Sequence, residues 1–174
     1  MIVVAPAAQA ASTTDITFKV TGCNGCVITP VWALEGQGVV TFASATVVDG
    51  SAMATVPVAS TQGMSFNITA PWKVDIDAEP VIVTQYQGRA EGSRVTMSQA
   101  MASAQATACW SGTTAASVTL RVIVRRVQLP GMMTGSTVKV PLAWMSPTVG
   151  TTGGFDKAQK GVIAQQEAWY CPAG

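Results

Sequence analysis

Apolar and polar residues alternate along most of this chain with the two-residue period of β-strands. In the segment 16–21, Ile-Thr-Phe-Lys-Val-Thr, every second residue is apolar, and the segments 64–70 and 138–144 repeat this pattern. One apolar face and one polar face are typical of an antiparallel strand that covers a core on one side. Further strands are predicted at 27–34, 38–48, 52–59, 81–86, 117–127 and 161–170.

The turn residues between these segments indicate the fold class. Asp49 and Gly50 separate two of the predicted strands, and both residue types tolerate the positive φ angles of a tight hairpin. A chain of short strands separated by turns closes most simply as two packed sheets. The sequence therefore predicts one all-β domain over 11–174, a two-sheet antiparallel β-sandwich of the immunoglobulin-like or a related type.

One segment departs from the alternation and predicts a short helix near residues 96–107. Met97, Ala100 and Met101 recur there at helical spacing. Thr96 is the predicted N-cap, and Gln99 stands three residues later, where it can complete a capping box.

The first ten residues carry an export pattern. Ala8-Gln9-Ala10 has the small-x-small form of a signal-peptidase site, and the residues Met1 to Val4 are typical of the end of an apolar leader. Residues 1–10 are therefore predicted to be an export-signal remnant or a flexible tail, and the protein to be secreted or held at the cell surface. No apolar run reaches the roughly 18 residues of a membrane span, so no span is predicted.

Charge and composition exclude several function classes. Charged residues make up 11% of the chain and the net charge is +1, which gives little attraction for nucleic acid. The chain has no histidine, the commonest general base and metal ligand. It also lacks a Gly-x-Ser-x-Gly elbow, and no carboxylate pair stands out. We therefore expect a non-catalytic protein with no cofactor, no metal and no nucleic-acid partner.

The four cysteines are predicted to form two disulfides. Cys23 and Cys26 flank Asn-Gly, which is turn chemistry rather than the helix start of a thiol oxidoreductase. Zinc would require a second close pair, whereas Cys109 and Cys171 are isolated in the sequence. An exported chain meets oxidising conditions. We favour Cys23 with Cys26 and Cys109 with Cys171; a four-thiolate metal site and a redox pair remain as alternatives.

Three residues near one predicted strand end are candidates for binding. Trp72 follows Pro71 where the strand ends, and an exposed tryptophan there could stack on a sugar or anchor an interface. The alternative is that its ring closes the end of the core. Asp75 and Asp77 alternate with apolar residues and could offer calcium their oxygens, or they could mark a charged edge strand that resists unwanted pairing.

Basic residues on one strand form a second candidate surface. Arg121 and Arg125 share the outward parity of the strand at 117–127, with Arg126 next to them in sequence. Together with Lys139 they could form a basic strip for an anionic glycan or a wall polymer. The alternative is an ordinary solvated face.

Three short segments resemble those of uncharacterised small secreted proteins of high-GC Gram-positive bacteria. They are Thr-Gly-Cys-Asn-Gly-Cys at 21–26, Ala-Pro-Trp at 70–72 and Cys-Trp-Ser-Gly-Thr at 109–113. The resemblance implies export and paired cysteines, and it carries no activity, ligand or site residue.

The expected function is a non-catalytic secreted or cell-envelope module for binding or adhesion. Its partner would be a glycan, a cell-wall polymer or another protein. One alternative is a self-assembling structural subunit of a surface assembly. The other is an extracellular enzyme that acts on wall polysaccharide.

Overall fold

The computed structural model describes residues 12–34, 38–72, 80–102, 105–130, 135 and 137–152, together with Cys171. This part of the chain is mostly β. Its strands are β1 (Thr13–Thr21), β2 (Val27–Leu34), β3 (Gly38–Thr41), β4 (Ala45–Thr46), β5 (Ser51–Pro57), β6 (Ser65–Thr69), β7 (Gln85–Tyr86), β8 (Ala106–Thr107), β9 (Ser117–Pro130) and β10 (Thr137–Met145). A six-residue helix α1 (Met97–Ala102) and a 3₁₀ turn (Val58–Ser60) complete the elements.

The first sheet, sheet A, has the strand order β10-β9-β1-β5 and curls into a half-barrel. Its outer pairs are antiparallel, as predicted, but β1 and β9 run parallel, with Asp15 opposite Ser117. The prediction of purely antiparallel sheets is therefore wrong at this pair. The physical reason is that alternation reports which face of a strand is buried and not the direction of its neighbour.

The second sheet, sheet B, is built around β2. β6 pairs with one edge of β2, and β3 and β4 pair with the other. Val31 stands opposite Thr41, and Ile28 stands opposite Ala45. The interval of three residues on β2 is therefore paired with an interval of four residues on the neighbouring segment 41–45. This extra residue is a β-bulge, and it divides the single strand predicted at 38–48 into β3 and β4.

A short extended segment at 81–83 joins the two sheets. The Ile82 N–H donates to the Phe66 carbonyl oxygen on sheet B at 2.8 Å. The Val83 N–H donates to the Ala143 carbonyl oxygen on sheet A at 3.0 Å, and its own carbonyl accepts from the Met145 N–H at 2.7 Å. The strand predicted at 81–86 thus consists of this link followed by β7, and it connects β6 to β10.

The main core contains side chains from both sheets. Phe18 of β1 and Phe66 of β6 meet edge to face with ring centroids 5.2 Å apart, and Trp110 lies 5.8 Å from Phe66. All three rings are buried. The smaller members of this core include Ile16, Ile28, Val47, Val56, Ile68, Leu120, Val122 and Met145.

A second core covers the opposite face of β9 and β10. Leu142 and Trp144 pack there against Tyr86, Val95 and Ala100. Residues Val140 to Met145 are consequently buried on both faces, and the polar face predicted for 138–144 is wrong at its C-terminal end. Ala143, on the other face, belongs to the main core.

The predicted helix is present but shorter than the range 96–107. Its capping box is confirmed: Thr96 Oγ1 accepts from the Gln99 N–H at 3.3 Å, and Gln99 Oε1 accepts from the Thr96 N–H at 3.0 Å. The helix ends at Ala102, and Ala106–Thr107 form β8 against β7. The Thr107 carbonyl accepts from both the backbone and the hydroxyl of Thr84, each at 2.8 Å, so strand pairing replaces the last predicted turn.

Two predictions lie outside the described residues, namely the export segment 1–10 and the strand 161–170. Within the described part, no helix has the length and apolar character needed to cross a membrane.

Candidate binding site

The turn from β1 to β2 is closed by a disulfide between Cys23 and Cys26, whose Cα atoms are 5.7 Å apart. Asn24 Oδ1 accepts from the Asp49 N–H at 3.0 Å, so this turn rests on the turn at Asp49-Gly50. Asp49 and Gly50 both have positive φ, 50° and 73°, which confirms the predicted hairpin. The short bridge therefore braces a junction where β1, β2 and the β4–β5 connection meet.

The second disulfide joins Cys109 to Cys171, with Cα atoms 5.0 Å apart and a sequence separation of 62. Both residues are buried. This is the connectivity favoured from the sequence. No cysteine is free, so all four sulfurs are engaged in the two bridges.

Ser65 holds the long bridge against sheet B. Its Oγ donates to the Ala108 carbonyl oxygen at 3.1 Å and accepts from the Cys171 N–H at 3.1 Å. Ser65 itself is fully buried. One hydroxyl thus satisfies two buried backbone groups on either side of the Cys109–Cys171 bridge.

Replacing Ser65 by alanine is expected to lower the free energy of unfolding by about 2 kcal/mol, because a buried donor and a buried acceptor lose their partner. Urea titration followed by tryptophan fluorescence measures the change. Ser51→Ala is the matched control, since Ser51 accepts from the exposed Lys19 ammonium at 3.2 Å, and we expect about 0.5 kcal/mol or less there. Equal losses in the two variants would contradict this role of Ser65.

The structure places Trp72 against the main core, with its side chain half-buried. Its indole nitrogen Nε1 is buried and has no hydrogen-bond partner among the described residues. The ring thus belongs in part to the core, and a binding role of Trp72 stays a prediction. The neighbouring candidates Asp75 and Asp77 lie outside the described residues.

The predicted basic strip is divided between two faces of sheet A. Arg121 and Arg125 share one face, about 13 Å apart along β9, and Lys19 of β1 stands directly opposite Arg121. Arg125 is half-buried, and its Nη1 donates to the Val124 carbonyl oxygen at 3.0 Å. Arg126 follows Arg125 on the opposite face of β9, and Lys139 of β10 shares that face because it stands opposite Gln128.

The described residues contain no cluster of three or more His, Cys, Asp or Glu side chains that could hold a metal ion.

A groove that the sequence analysis missed lies between β7 and α1. Its cavity volume is about 240 Å³, and its lining residues are Tyr86, Gln87, Arg89, Val95, Gln99 and Ala102. Of these, Tyr86 and Val95 are buried, whereas Gln87 and Arg89 are exposed. Among the described residues, no carboxylate lines this groove.

Two local structures fix the polar side of this groove. Gln99 Oε1 is engaged by the Thr96 N–H in the capping box, so the amide nitrogen is the end that remains for a ligand. The backbone of Arg89 is held by a turn, in which its N–H donates to the Tyr86 carbonyl at 3.0 Å and its carbonyl accepts from Gln85 Nε2 at 2.7 Å. The groove therefore combines the oriented amide of Gln99 and the exposed donors of Gln87 and Arg89 with the buried residues Tyr86 and Val95.

This groove could not be predicted from the sequence, because its residues come from a turn, a loop and a short helix. None of these segments has the period of a long element, and no motif links Arg89 to Gln99.

No protein-family model, no curated protein and no solved structure matches this chain. The function must therefore be argued from the site itself.

Proposed function

We propose that this protein is a non-catalytic binding module of the cell exterior and that the groove between β7 and α1 is its binding site. The observation that carries the proposal is that amide and guanidinium donors line the same groove as the aromatic ring of Tyr86 and the aliphatic side chain of Val95. Ligand sites typically combine an apolar lining with a few positioned polar groups.

A glycan or wall-polymer end is the ligand that fits this lining best. Sugar rings offer apolar C–H faces to an aromatic or aliphatic floor and surround them with hydroxyl acceptors. The donors of Gln87, Arg89 and Gln99 match such acceptors. A cavity of about 240 Å³ has room for one small polar unit, so recognition would be limited to a chain end or a single substituent.

The proposed location and architecture rest on separate observations. Two disulfides favour an oxidising compartment, and the pattern Ala8-Gln9-Ala10 favours secretion with removal of a signal peptide. The packing of Phe18 from sheet A on Phe66 from sheet B supports a two-sheet sandwich, for which an immunoglobulin-like arrangement is our working model.

The test is a binding panel of soluble wall-polymer fragments, neutral and acidic oligosaccharides and unrelated peptides, measured by calorimetry. For the oligosaccharide that binds, we expect Arg89→Ala to weaken the affinity by about tenfold or more, because a hydrogen bond to a charged group is worth about 1.5–3 kcal/mol. Arg89 is exposed, so this variant should retain its fold.

Arg121→Ala is the matched control, since Arg121 is exposed on sheet A and does not line the groove. Its affinity should equal that of the unmodified protein. If Arg121→Ala abolished binding while Arg89→Ala left it unchanged, the binding site would lie on sheet A and the groove assignment would be wrong.

A further inference from the structure

We propose that two copies of this chain associate edge to edge through β5, which forms one continuous antiparallel sheet across a two-fold axis. This surface goes beyond the proposed groove, and neither depends on the other.

Two hydrogen bonds establish which way the backbone of β5 points. The Asp15 N–H of β1 donates to the Ala116 carbonyl oxygen on the β9 side at 3.0 Å, and the Val20 N–H donates to the Gly50 carbonyl oxygen on the β5 side at 2.8 Å. Successive residues of a strand direct their backbone groups to alternate sides. The odd-numbered residues of β1, such as Asp15, therefore bond to β9, and the even-numbered ones, such as Val20, bond to β5. Their partners are Ala52, Ala54 and Val56, as in the pair Ile16 opposite Ala54.

The intervening residues of β5 therefore present their backbone groups away from β1. The N–H and C=O of Met53 and of Thr55 point to the free edge of sheet A. Among the described residues, the only backbone pairing on this side of β5 is the hairpin contact of Ser51 with Val48, at 2.9 and 3.0 Å. Two donors and two acceptors are thus available beside each other.

This edge lacks the features with which soluble proteins discourage edge pairing. Ser51–Pro57 contains no charged residue, and its proline stands at the last position, where it leaves the centre of the strand unprotected. Met53 is 62% exposed, and Val48 at the start of the hairpin is 61% exposed. Apolar side chains therefore flank the unpaired backbone groups.

A second copy fits this edge because the edge is complementary to itself. With the two-fold axis at Ala54, Met53 of each copy stands opposite Thr55 of the other, and the two pairs exchange four backbone hydrogen bonds. No like charges meet, since neither strand carries a charge. An edge of seven residues buries less surface than a permanent dimer needs, so the association should be weak and concentration-dependent.

The test combines sedimentation equilibrium with amide hydrogen exchange of the full chain over a range of concentrations. We expect the average mass to rise from 17.9 kDa toward twice that value. Over the same range, the amides of Met53 and Thr55 should become protected from exchange. A mass of one chain at every concentration would overturn the proposal, and so would a dimer in which these two amides stay unprotected.

Paired variants separate the contribution of the Met53 backbone N–H to dimerisation from that of its side chain. Met53→Pro removes an N–H that β1 does not use, and it should abolish the dimer. Met53→Ala keeps that N–H and should retain most of the dimer affinity. Met53→Lys should also weaken the dimer, whereas Met97→Lys, at another exposed methionine, should not. Circular dichroism checks that each variant is folded; dimerisation by folded Met53→Pro at the unmodified affinity would contradict the proposed interface.

Discussion

Gly22→Ala is expected to lower the free energy of unfolding by about 3 kcal/mol or more, the largest effect of any single substitution proposed for this protein. Gly22 has a φ of +91°, which costs a residue with a Cβ about 1–2 kcal/mol. A Cβ at this position would also overlap the Val124 carbonyl oxygen and the Arg125 guanidinium. The arginine could move, but the carbonyl belongs to β9 in the centre of sheet A.

Urea titration measures this effect, and the midpoint should fall by about 1.5 M if the slope is about 2 kcal/mol per molar. Gly92→Ala separates the two causes. Gly92 has a similar φ of +79°, but a Cβ there would meet nothing within 4 Å. It should cost only the conformational part, about 1–2 kcal/mol. If the two variants lost equal stability, close packing against Val124 would not be the reason for glycine at position 22.

Removal of the Cys109–Cys171 bridge is expected to cost about 4 kcal/mol. On the chain-entropy model, a closed loop of this length, with a sequence separation of 62, restricts the unfolded chain strongly. The double variant Cys109→Ala with Cys171→Ala should show the loss in the same urea titration.

The Cys23–Cys26 bridge supplies the comparison. Its sequence separation is 3, and the same model gives it only about 2 kcal/mol. Both bridges bury two sulfurs, so the double alanine variants lose similar packing and differ mainly in loop length. A larger loss for the short bridge would indicate that the strength of the β1–β2 junction, rather than chain entropy, determines the contribution of these disulfides.

Local signals in the sequence were reliable where neighbouring residues decide the structure. The alternation at 16–21 predicted β1 and its buried face correctly, because one side of β1 lies against the main core and the other faces solvent. The turn at Asp49-Gly50 and the capping box of Thr96 and Gln99 depend on residues at most three positions apart, and both form as predicted.

Features that depend on distant partners could not be predicted in the same way. The parallel pairing of β1 with β9 joins segments about a hundred residues apart, and no property of either strand specifies its direction. The second core left a partial signal, since Pro141 and Ala143 occupy the positions where a half-exposed strand would carry polar residues. The groove between β7 and α1 left no signal in the sequence, because its turn and its helix come from separate segments that meet only through tertiary packing.

The position of β1 in the middle of sheet A has a mechanical consequence. Seven residue pairs join β1 to β5 and seven join it to β9. If residue 12, at the start of β1, and the C-terminal end of β9 were pulled apart, the two parallel strands would be drawn along their length in opposite directions. Their hydrogen bonds would then be loaded in shear all together instead of separating one after another. In a single-molecule pulling experiment, this geometry should give a higher rupture force than one in which the ends of β9 and β10 nearest their connection are drawn apart.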